Sequence, residues 1–82
     1  MLAVLTQKER RLLERARGGR VPRELTGRRV DSMARRAEKA LDDLRLLLSF
    51  LDDREFLVAR SILEMLREKV DMAVERIRKV VR

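Results

Sequence analysis

Two apolar series stepping by three and four residues run back to back in this chain with a helix-start signal between them. Little but a helical hairpin satisfies that pattern. The first series is Val30, Met33, Ala37, Ala40, Leu44, Leu47 and Leu51; the second is Phe56, Ala59, Leu63, Leu66, Val70, Ala73, Ile77 and Val80. Alternating steps of three and four keep side chains on one helix face, and sustained over several turns they make a heptad seam. Between the series, Asp52 and Glu55 have the spacing of a capping box, with Leu51 and Phe56 where a hydrophobic staple sits. One helix ends and the next begins within a few residues, so the two lie antiparallel as neighbours. The spacing predicts helix 2 over about residues 28–51 and helix 3 over about 53–81.

Upstream, Thr6 and Glu9 form another capping-box pair, after which Leu12, Leu13 and Ala16 share a face and Gly18-Gly19 offers the left-handed geometry of a helix end. These predict helix 1 over about residues 7–17. Residues 18–27 hold all three glycines and the only proline, Pro22, and read as the linker, with room for a short helical turn at 22–26. The expected fold is all-α in a single domain over residues 1–82: a short N-terminal helix and a long antiparallel hairpin.

The apolar faces are wider than a two-helix seam requires. Leu46, Leu48 and Phe50 extend the stripe of helix 2, and Val58, Ile62, Met65 and Met72 extend that of helix 3. A helix apolar around much of its circumference is buried by more than one neighbour, and helix 1 brings only three apolar side chains besides the Met1–Leu5 segment. These seven residues are therefore the expected interface of a homodimer, two hairpins forming a four-helix bundle.

Composition narrows the function classes. The chain has 82 residues, 45% hydrophobic and 43% charged, with no Cys and no His. The first absence removes disulfides and thiolate metal sites; the second removes the commonest general base. Seventeen Arg against four Lys, with no Asn and one Gln, suggests a thermophilic source. The most apolar stretch, Leu44–Leu51, contains Arg45 and Ser49 and falls far short of the roughly 18 residues a membrane span needs. Met1–Leu5 lack the basic region and cleavage site of a secretory leader, so a cytoplasmic location and no membrane partner are expected.

Charge is the strongest functional clue. Residues 1–40 carry twelve Lys and Arg against five Asp and Glu, while residues 41–82 carry nine of each, so the whole +7 belongs to the first half. Such asymmetry makes one end of the molecule a field source for polyanions. At the start of helix 2, Arg28, Ser32, Arg35, Arg36 and Lys39 share a face opposite the seam, and Arg29 with linker Arg20 and Arg23 could extend it. The planar guanidinium fork suits phosphate. Against this, Glu14, Glu24, Asp31 and Glu38 are interleaved and could neutralise the patch, and charges opposite an apolar seam also serve simply to keep a helix in water.

The segment LTQKERRLLERARGG is similar to the opening of the helix-turn-helix in LuxR-type regulators and in the fourth region of sigma factors, and RRVDSMARRAEKAL resembles their recognition helix. That resemblance implies that Arg28, Arg29, Ser32, Arg35 and Arg36 face a major groove. The eight residues VPRELTGR stand where those families carry a scaffold helix and turn.

Catalytic chemistry finds no support. Asp42-Asp43 and Asp52-Asp53 are the only adjacent carboxylate pairs, and neighbours on a helix point about 100° apart. Ser32, Ser49 and Ser61 have no His to activate them, and no glycine-rich phosphate loop is present. The sequence predicts no enzyme, no cofactor, no metal and no small-molecule substrate. It favours a small dimeric protein that binds DNA or RNA through its Arg-rich first half. The alternative is a homo-oligomeric structural or adaptor protein that receives another protein on its apolar faces.

Overall fold

The computed structural model describes residues 4–81, so Met1, Leu2 and Ala3 of the apolar N-terminal stretch lie outside the described residues. Three α-helices and no strand are found among them: α1 (Gln7–Arg17), α2 (Gly27–Leu48) and α3 (Asp53–Val80).

Each helix starts on a side-chain cap. Thr6 and Glu9 form the reciprocal box, the Glu9 amide donating to Thr6 Oγ1 at 3.1 Å and the Thr6 amide donating to Glu9 Oε1 at 2.9 Å. Asp52 accepts from the Glu55 amide at 2.8 Å. Thr26 caps α2 by accepting from the Arg29 amide at 3.2 Å. Helix α2 thus begins at Gly27, a residue earlier than the spacing predicted, and the stretch 22–26 is a turn closed by Leu25 N–H on Pro22 C=O rather than a helical turn.

Helix α1 stops where Gly18-Gly19 predicted. The Arg20 amide reaches back to Arg15 C=O and the Gly19 amide to Ala16 C=O, with Gly19 at φ 94°. This is the paired-bond C-terminal motif that needs one left-handed residue. Open space surrounds the position a Gly19 Cβ would take, so only backbone strain opposes a side chain there. Gly19→Ala is expected to lower stability by about 1 kcal/mol, read as a reduced urea midpoint at unchanged slope.

Helices α2 and α3 pack antiparallel, with Val30, Met33, Leu63, Val70 and Ile77 of the heptad series turned inward, but the series leaves the contact in places. Leu41 and Leu63 are buried and Leu48, Val70 and Val74 half-buried, whereas Leu47, Leu51, Leu66 and Val80 are exposed. The physical reason is period: a 3.5-residue repeat drifts by about 20° per heptad on a straight helix. Over three heptads that rotates Leu47 and Leu51 off the contact line and brings Leu48 onto it. Helix α2 also ends at Leu48, three residues before the predicted boundary, because the last turn tightens into the three-residue bonds Phe50 N–H to Leu47 C=O and Leu51 N–H to Leu48 C=O.

Helix α1 lies across the end of the hairpin where α2 begins and α3 finishes. There Leu12, Leu25, Val30 and Met33 form the buried cluster, with Leu5, Leu13, Ala16, Val74, Ile77 and Val81 packed against it. The two long edges of the hairpin differ. Along one, Arg78 meets Asp31 at 2.9 Å and Arg67 meets Asp42 at 2.6 Å and Glu38 at 3.6 Å. Along the other lies an apolar groove of about 410 Å³, walled by Ala40 and Leu44 of α2 and by Leu66 and Val70 of α3, with Val4, Leu5 and Leu13 at its α1 end.

Candidate nucleic-acid interface

The basic residues of the first half separate into two sets. Arg36 turns inward: its guanidinium donates to both carboxylate oxygens of Glu9, at 2.7 and 2.5 Å, and to the Val4 carbonyl at 2.7 Å. Arg29, half-buried, lies 3.7 Å from the same carboxylate. Glu9 itself is 3% exposed, the one buried charged residue among those described. Hydrogen bonding from Arg36, opposed by burial and helped by the Thr6 amide, holds its carboxyl at about 2 instead of the ordinary 4.5. The same pair raises the pKa of Arg36. Both arginines named for phosphate recognition on this side therefore clamp α1 to α2.

Sequence reasoning missed this clamp, although a signal existed. Glu9 lies in phase with Leu12, Leu13 and Ala16 on the apolar face of α1, and Arg29 and Arg36 stand with Met33 and Ala40 at steps of four, three and four. A charge in phase with an apolar stripe needs an opposite charge to accompany it.

The second set stays outside. Arg28, Arg35 and Lys39 are exposed and Ser32 half-buried on the α2 face turned away from α3. Among the described residues, no carboxylate lies within ion-pair distance of these three cations. Of the acids nearby, Asp31 is held by Arg78 and Glu38 and Asp42 by Arg67, all across the α2–α3 edge, while Glu14, Glu24 and Asp43 stand in no ion pair among the described residues. Linker Arg20 and Arg23 are exposed as well, and Arg23 lines a pocket with Pro22, Leu25 and Val80.

The seven predicted interface residues do not share one face. Ile62, 61% exposed, lies on the open edge, and Val58 flanks it. Leu48 is half-buried in the hairpin. Met65 and Met72 follow the outer row of α3, while Leu46 and Phe50, the latter 88% exposed, turn to the other side of α2 near the turn. The residues that do line the open edge beside Ile62 are Leu47, Leu51 and Leu66, all exposed.

No helix among the described residues is long and apolar enough to cross a membrane. The adjacent acids serve caps and ion pairs: Asp52 caps α3 and Asp42 holds Arg67. No protein-family model, no curated protein and no solved structure matches the chain. The helix-turn-helix resemblance is not carried by the geometry either. Nine residues without a helix separate α1 from α2, where that motif joins its helices by three or four.

Proposed function

We propose that this chain is a small nucleic-acid-binding protein that works as a homodimer, with Arg28, Ser32, Arg35 and Lys39 of α2 on the phosphates and the hairpins as scaffold. The observation that carries the reading is the unpaired row: three exposed cations along one helix face with no carboxylate within ion-pair distance among the described residues, Asp31, Glu38 and Asp42 being held by α3 arginines. Arg20 and Arg23 extend it. Phosphate neutralisation releases counterions, so binding of a 24-base-pair duplex followed by fluorescence anisotropy should weaken steeply with salt, log affinity falling by about 0.9 per log salt for each phosphate contacted. Absence of binding at low salt would sink the proposal.

The dimer, a four-helix bundle of two hairpins, is supported by the open edge. Leu47, Leu51 and Leu66 of the heptad series stand exposed there beside Ile62, and a pattern that repeats every 3.5 residues suits a bundle in which they too are covered. A second copy covers it by one two-fold operation. Burying a side chain of this size gains roughly 1.5–3 kcal/mol from full exposure, and the four from each chain are about half exposed already. The two copies then gain on the order of 6–12 kcal/mol, within the range that association costs. Light scattering at micromolar concentration is expected to give twice the 9.7 kDa chain mass.

An adaptor role is the second reading. It is favoured by Leu46, Phe50 and Leu57, exposed around the turn away from the open edge and left uncovered by such a dimer.

A further inference from the structure

The side on which α1 lies decides how two copies can meet. It sits on the open edge, its Leu13 and the preceding Leu5 forming one end of the groove. At that end Val30 and Met33 are buried and Val74 and Ile77 half-buried, whereas Leu47, Leu51, Ile62 and Leu66 towards the turn are exposed. The half of the hairpin next to α2's start is thus covered and the half next to the turn is bare. Two copies stacked with their turns at the same end would set α1 against α1 and hold the bare halves apart. Stacked head to tail, bare half meets bare half, and each α1 lies just beyond the partner's turn. Only the second arrangement covers Leu47, Leu51, Ile62 and Leu66.

A head-to-tail pair of hairpins has its two-fold axis perpendicular to the helices, lying in the interface along the line from α3 to α2. That axis keeps both α2 helices on one side of the bundle. The row Arg28, Arg35, Lys39 points away from α3, so both copies present it on that shared side, one towards each end. The bare stretch of α2 is centred near Arg45 and the basic row near Met33 to Ala34, about twelve residues away. At 1.5 Å per residue the two rows stand roughly 35 Å apart, the length of one turn of B-form DNA.

Resting on the reading above, we infer that the polyanion is double-stranded DNA, gripped by the dimer at two backbone sections one helical turn apart on the same side of the duplex. Single strands are disfavoured because stacking platforms are lacking: Phe50 and Phe56 are the only aromatic residues, and Phe56 is half-buried in the hairpin. Each row covers about 16 Å, so gripping both takes about 15 base pairs at 3.4 Å each.

Two experiments on the full-length chain test this. The first compares 24- and 10-base-pair duplexes across salt. The longer should bind at least about a hundredfold tighter at low salt, with about twice the salt slope, because the shorter reaches one row only. Equal slopes and affinities per site would overturn the inference while leaving nucleic-acid binding intact; no binding to either length would overturn both. Equal preference for a 24-base-pair RNA duplex, or for a single strand, would overturn the assignment to DNA. The second experiment uses Leu47→Cys in this cysteine-free chain. Position 47 lies on the open edge near the dyad of the head-to-tail pair, so mild oxidation should cross-link it to its own copy, whereas Arg11→Cys on α1 should stay monomeric under denaturing conditions. The reverse pattern would overturn the head-to-tail register.

Discussion

Replacing Glu9 by Gln should lower the unfolding free energy at neutral pH by about 3 kcal/mol, roughly a hundredfold in the folding equilibrium. The figure follows from linkage: a carboxyl held at about 2 when folded and near 4.5 when unfolded stabilises the fold by about 1.4 kcal/mol per unit of difference. The sign is that of a depressed acid. Its contribution is complete above pH 4.5 and is lost as the pH falls towards 2. The difference in melting temperature between the native chain and Glu9→Gln should therefore be on the order of 10–20 °C at pH 7 and shrink to near zero by pH 2, both proteins being compared at one concentration. Arg36→Lys should recover only part of the stability, since an ammonium cannot make the paired bonds that the guanidinium makes to Glu9 and Val4. A melting difference that stays constant across acid pH would mean that the clamp is not ionic.

The second large effect concerns the open edge. Leu47 and Ile62 are 66% and 61% exposed in the single chain, so placing Glu at both positions leaves the core of that chain untouched. In the dimer the same change buries four carboxylates, each at a penalty of several kcal/mol. The double variant is expected to keep its helical circular dichroism, scatter as one 9.7 kDa chain, and dimerise at least a thousandfold more weakly. Retention of the dimer would place the interface elsewhere, with Leu46 and Phe50 at the turn the next surface to alter.

Local rules carried most of the fold. The boxes at Thr6 and Asp52 are signals contained within four residues, and both helices they start are present. The stop at Gly18-Gly19 is equally local, and so is the hairpin that follows from a short connection. What failed did so where the outcome depends on three dimensions. A heptad count cannot show that the apolar row drifts round α2 until Leu47 and Leu51 leave the contact, because drift accumulates with length. The Thr26 cap went unread because its third following residue is Arg29 rather than an acid, so no capping box marks it.

The site was legible as a charge imbalance but not as a sorted set. Arg35 and Arg36 are adjacent in the chain and about 100° apart on the helix, so one joins the outer row while the other reaches Glu9, 27 residues away. Nor could sequence tell that Asp31 and Glu38 face α3 arginines rather than their neighbours on α2. That choice leaves the basic row unpaired and gives the functional reading its basis.

The most direct measurement compares the native chain with Arg28→Ala/Arg35→Ala/Lys39→Ala on a 24-base-pair DNA duplex across salt. All three residues are exposed and no ion pair holds them among the described residues, so the variant should fold and dimerise like the native protein. The slope of log affinity against log salt should become shallower by about 5, at about 0.9 for each of six lost phosphate contacts in the dimer, and low-salt affinity should drop by several orders of magnitude. An unchanged slope and affinity would contradict the claim that this face of α2 meets the phosphates.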